Sequence, residues 1–105
     1  LDAVQQFKTR AERVGVYGNR EYNAGWHTSM DLFNLLTVSE AVARCAIERK
    51  ESRGGHFRED YPAKDDQYGT FNLVVRKGRD GEMQLERVPV VPLTDEQKQV
   101  IEENK

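Results

Sequence analysis

The chain has 105 residues, enough for one small domain and too few for two. Its 16 basic and 18 acidic side chains leave a net charge of −2, which argues against a dedicated nucleic-acid binder, because such proteins gain affinity from a strong basic excess. No apolar run exceeds three residues, so no direct membrane insertion is expected, and the lone Cys45 excludes both an internal disulfide and a cysteine-rich metal site.

Residues 2–15 read as an amphipathic helix, with Val4, Phe7, Ala11 and Val14 on a narrow seam that packs against one neighbour. Gly15 and Gly18 punctuate that pattern, and Val16 and Tyr17 are placed to pack across the turn. A longer helix follows over 24–50, with Asn23 as its N-cap. Between Leu32 and Ile47 its apolar residues cover most of the circumference, which asks for partners on more than one side. Only one earlier helix is available, and Leu1 already lies inside a helical pattern, so the chain is expected to be a piece of a longer polypeptide.

Residues 51–69 lack a period and carry Gly54, Gly55, Pro62 and Gly69, a loop composition. Alternation at Phe71, Leu73 and Val75, and again at Met83 and Leu85, predicts a β-hairpin over 70–91, turned at Asp80-Gly81 and ended by Pro89 and Pro92. Thr94-Asp-Glu-Gln97 is a capping box opening a short helix over 95–103. The fold class is therefore mainly α (α+β). An antiparallel helical bundle is followed by a β-hairpin and a short C-terminal helix, with a bundle part at 1–62 and an extension at 63–105.

The densest polar cluster runs from Arg49 to Asp60. It admits two readings. Arg53 and Arg58 could fork onto a carboxylate or phosphate beside Gly54-Gly55; alternatively the segment is a helix end closed by glycine, with Arg49 and Lys50 complementing the dipole. His27 and His56 find no third ligand at metal spacing, so no metal site is expected. Of the two, His56 is better placed to meet a ligand or another domain. Cys45 reads as a small buried thiol, because no base is positioned to activate it, and Trp26 and Phe33 read as core. Asp65-Asp66 lack the spacing of a calcium loop. Neither a phosphate loop nor a serine elbow is present, so these residues form no complete active site.

Residues 19–62 carry a more specific signal. A Leu-rich stretch and a Ser-Glu-Ala segment run into Arg49, Glu51, Ser52, Arg53, Gly54, His56, Arg58, Asp60 and Pro62, the pattern R-x-ESRG-x-H-x-R-x-D-x-P. This resembles the C-terminal helical domain of the succinate dehydrogenase/fumarate reductase flavoprotein subunit. The resemblance implies a spectrin-repeat-like bundle whose first helix is missing from this piece. It also implies an FAD-dependent subunit that interconverts succinate and fumarate by hydride transfer, with electrons passing to an iron–sulfur subunit and a quinone.

Under that resemblance neither catalytic nor flavin-binding residues lie in this piece, which is inactive alone. FAD belongs to the full-length subunit. The implied partners are the chain's own N-terminal FAD-binding domain, the iron–sulfur subunit and a membrane anchor subunit, which would hold the subunit peripherally on the cytoplasmic side of the membrane. The loop bearing Arg53, His56, Arg58 and Asp60 is implied to be interdomain and near the active site, without a role in proton transfer. L-aspartate oxidase shares an ESRG-type loop and is the alternative within the same fold. The alternative outside it is a free-standing helical protein-interaction module.

Overall fold

The computed structural model describes residues 1–104; Lys105, the last residue of the extension at 63–105, lies outside the described residues. Among these the order is α1 (Asp2–Ala11), α2 (Ala24–Glu48), a 3-10 helix (Asp66–Gly69), β1 (Phe71–Lys77), β2 (Met83–Pro89) and α3 (Asp95–Glu103).

The first helix is shorter than its apolar seam predicts. It stops at Ala11, where Arg13 and Val14 donate to carbonyls three residues back, at 3.1 Å each, and the chain tightens out of the helix. Gly18 at φ 90° then takes a left-handed conformation, and so does Tyr22 at φ 55°. Asn23 fixes the reversal. Its amide donates to the Tyr17 and Asn19 carbonyls at 2.8 Å each, while its side-chain oxygen accepts from the Trp26 amide at 3.2 Å as the N-cap of α2. Tyr17 does not pack across this turn; it projects fully into solvent.

Helix α1 folds back along α2, and the contact has two parts. Ala11 and Leu36 are its buried apolar residues. Beside them Glu40, only 2% exposed, accepts from Gln5 at 3.0 Å and from Arg44 at 2.7 Å and pairs with Lys8. Much of the large apolar surface of α2 is nevertheless open. Met30, Phe33, Leu35, Val38, Val42 and Ile47 all keep half or more of their surface exposed. Phe33 is thus not core here, and Trp26 is only half-buried. The demand for partners on several sides is met by α1 on one side and only in part by the hairpin on another.

Strands β1 and β2 pair antiparallel with Phe71 opposite Pro89 and Lys77 opposite Met83. The turn closes through the Gly78 amide on the Glu82 carbonyl at 2.8 Å, and Gly81 supplies the left-handed residue at φ 87°. The hairpin runs beside α2 and is tied to it at one end, where Arg87 donates to Glu48 at 2.9 and 2.5 Å and stacks 4.8 Å over Phe71. Open grooves of about 580 and 530 Å³ separate the two along their length. Helix α3 begins where expected: Thr94 accepts from the Gln97 amide at 3.2 Å and Gln97 returns the bond at 3.0 Å. Among the described residues no helix is long and apolar enough to cross a membrane.

Candidate functional site

Helix α2 ends at Glu48, and Arg49 turns extended at ψ 102°. The glycine-closed helix end is therefore not what forms. Gly54 lies five residues further on, and the carbonyls that α2 leaves unpaired are met by side chains of the loop instead. Arg58 donates through Nη1 to the Ala46 and Ile47 carbonyls at 3.2 and 2.9 Å. His56 Nε2 lies 3.2 Å from the Arg49 carbonyl. A carbonyl oxygen only accepts, so Nε2 carries the proton in that bond. A cation at this end also opposes the negative pole of the helix.

Asp60, Ser52 and the turn at 53–56 brace the loop further. Asp60 holds Arg58 by a bidentate pair, Nε to Oδ1 at 2.8 Å and Nη2 to Oδ2 at 2.5 Å, which keeps the Asp60 carboxyl below its ordinary range. The Arg58 guanidinium lies 4.8 Å over the Tyr61 ring. Ser52 accepts from the Arg58 amide at 2.9 Å and donates to the Tyr61 carbonyl at 2.8 Å. Residues 53–56 close a tight turn: the Arg53 and His56 amides donate to each other's carbonyls at 2.8 and 3.0 Å, and Gly54 takes φ 58°.

At the centre lies Glu51, whose carboxylate has no exposed surface. Arg53 donates through Nε to its Oε1 at 2.8 Å, the Asp65 amide donates to its Oε2 at 2.8 Å, and Arg49 pairs with Oε1. The hydrogen bond from Arg53 is the largest cause that lowers the Glu51 pKa to about 2, against the opposing effect of burial. Arg53 also reaches the Asp65 carbonyl at 2.8 Å, and Arg49 the Tyr68 carbonyl at 3.2 Å. One carboxylate thus ties the end of α2, the loop and the start of the 3-10 helix together. These bonds cross the position, near 62, at which the sequence suggests dividing the bundle part from the extension.

The four residues singled out by sequence, Arg53, His56, Arg58 and Asp60, are brought into one cluster, but not around an empty anion site. Both arginines are closed on internal acceptors, and the described residues contain no group of metal-ligating side chains. Glu51, part of the ESRG pattern but given no role of its own by the sequence, is the residue at the centre. The signal was present, an acid two residues from an arginine on either side. What faces outward is the Gly54–Gly55 tip and Phe57, which is 69% exposed. His56 borders the groove of about 530 Å³, whose floor includes Ala41, Ala46 and Leu73. Cys45 lines the same groove half-buried, less enclosed than expected.

These residues do not fit a flavin site. The sheet is an antiparallel hairpin, and the glycine turn at 54–55 is closed on itself through the Arg53 and His56 amides. The geometry is that of a cross-braced scaffold that presents a hydrogen-bonded turn outward.

Residues 1–101 match the family described as fumarate reductase flavoprotein C-term. The fumarate reductase flavoprotein subunit of Haemophilus influenzae is 33% identical over 91 residues, covering 86% of this chain and 15% of that protein. The L-aspartate oxidase of Yersinia pestis is 51% identical over a shorter stretch of 45 residues, 40% of this chain and 8% of its own length. Among solved structures, Mycobacterium smegmatis Sdh1 in complex with UQ1 superposes with a TM-score of 0.81 at 40% identity, over 89% of this chain and 16% of that one. The chain thus spans 11–16% of the length of the flavoprotein subunits it matches.

Proposed function

The chain belongs to the fumarate reductase flavoprotein C-terminal family, and from that premise we propose that it serves a subunit which interconverts succinate and fumarate. FAD, held by an N-terminal domain of the same polypeptide, supplies the hydride chemistry. Electrons then leave through an iron–sulfur subunit to a quinone, and a membrane anchor subunit holds the assembly peripherally on the cytoplasmic side. The observation that carries this reading is the family match over residues 1–101. The quinone in the Sdh1 complex supports the last electron-transfer step.

Within that subunit the loop bearing Arg53, His56, Arg58 and Asp60 is an interdomain element near the active site. It positions without touching substrate. Its arginines are internally paired, so they hold shape, and the Gly54–Gly55 tip with Phe57 is free to meet the flavin-bearing half. The exposed apolar surface of α2 is covered by the rest of the subunit. The chain alone is inactive.

A second reading is the C-terminal domain of an L-aspartate oxidase, favoured by the 51% identity over 45 residues. The longer alignment with the fumarate reductase subunit, 86% of the chain, weighs for the first.

The test uses the full-length flavoprotein. Bound-flavin absorbance together with succinate-driven, aspartate-independent reduction of an artificial acceptor is expected. Aspartate turnover instead moves the chain to the oxidase branch, and a protein that binds no flavin removes both readings. In the same protein Arg53→Ala is expected to lower activity or flavin retention far more than Lys64→Ala, whose side chain is 61% exposed. Equal effects would count against the interdomain role.

A further inference from the structure

Glu51 stands out in a molecule with little interior. Only Ala11, Leu36, Glu40 and Glu51 are buried among the described residues, and Glu51 is the most completely enclosed. A large acid in that position needs a reason, because an enclosed carboxylate is tolerated only when its oxygens are fully bonded. Here they are: three donors from three separate segments converge on two oxygens. Helix α2 could be terminated without Glu51, since Arg58 and His56 already meet its carbonyls.

What Glu51 adds is the placement of Arg53. That residue opens the turn carrying Gly54, Gly55 and His56, and its guanidinium lies against Gly69, where an added Cβ would meet Nη2 at 3.4 Å. The carboxylate therefore fixes the Gly54–Gly55 tip relative to both α2 and the 3-10 helix. Removing its charge leaves two arginines facing a neutral group and frees the turn to shift.

We propose that Glu51 is a positioning residue for the flavoprotein's reaction, acting through Arg53 to set the outward tip of the loop against the catalytic half. This rests on the interdomain role proposed above. A shift of about 1 Å in an element that aligns reactants is enough to cost up to about a hundredfold in rate.

The experiment compares Glu51→Gln with wild type in the full-length flavoprotein, at a temperature where both retain full flavin content. Succinate-dependent acceptor reduction is expected to lose at least about tenfold in kcat, with KM moved less than about threefold. Leu36→Ala, which destabilises the α1–α2 contact far from the loop, is the control and is expected to keep its kcat. A Glu51→Gln enzyme with kcat within about twofold of wild type overturns the proposal, and so does an equal loss of kcat in Leu36→Ala at full flavin content. If Glu51→Gln does not fold, Glu51→Asp carries the test. It keeps the charge but withdraws it by one methylene, and a wild-type kcat there overturns the proposal. Failure of the underlying functional reading shows separately, as a wild-type protein without flavin or succinate turnover.

Discussion

The carboxylates of Glu51, Glu40 and Asp60 are all held below their ordinary range by cationic donors, Glu51 to about 2 from an ordinary 4.5. For Glu40 the largest cause is the hydrogen bond from Lys8, and for Asp60 it is the bond from Arg58. A depressed value in the folded state means that the folded chain holds its proton less tightly than the unfolded one. The stability contributed by Glu51 is therefore complete above pH 4.5 and is lost as pH falls toward 2. Denaturant midpoints measured from pH 7 downward should show wild type above Glu51→Gln by a constant margin down to about pH 4.5, and a margin that shrinks below it. A margin independent of pH through the acid range would mean that the carboxylate is not charged and paired as described. The alternating acids and arginines at 49, 51 and 53 show that such a cluster is readable in sequence as composition. Its wiring is not. Which acid takes which arginine depends on Asp65 and Tyr68, which lie 14 and 19 residues away from their partners Glu51 and Arg49.

At the scale of elements, local signals were legible where local chemistry decides. Asn23 and Thr94 cap helices as their side chains predict, and the hairpin turns on Gly81. The helix ends were not legible. Helix α1 stops at Ala11 although its apolar seam continues to Val14, because beyond Ala11 the chain has to reverse toward Asn23. Helix α2 ends at Glu48 because Arg58, reaching back from the loop, caps it. Helix α3 leaves a clear prediction. Its cap is local and its Val100 and Ile101 are about half exposed, so Thr94→Ala should cost about 1 kcal/mol of helix formation. Amide exchange over residues 97–103 should speed up about fivefold while the global unfolding midpoint stays put. Leu36→Ala should do the reverse, lowering global stability by about 2–5 kcal/mol, since among the described residues Leu36 is the one large apolar side chain that is buried.

The whole molecule is long and thin, 63 × 32 × 30 Å with a radius of gyration of 20.0 Å. A self-contained globule of this length has a radius of about 13 Å. With six large apolar side chains of α2 at least half exposed, from Met30 to Ile47, the chain by itself should bind a hydrophobic dye and self-associate as concentration rises. A dye-silent, monomeric chain with a cooperative melt would instead favour a free-standing module. The apolar excess of α2 made this deficit visible in the sequence; the open grooves beside the hairpin had no such signal. The Glu51 cluster has the opposite character, because its bonds span 2 to 19 residues, whereas Gln5 reaches Glu40 across 35 and Arg87 reaches Glu48 across 39. Short closures cost the least chain entropy and form first. During synthesis, then, the knot around Glu51 is expected to close once residue 69 is available, ahead of the hairpin clasp. The tip is already shaped when β1 and β2 arrive.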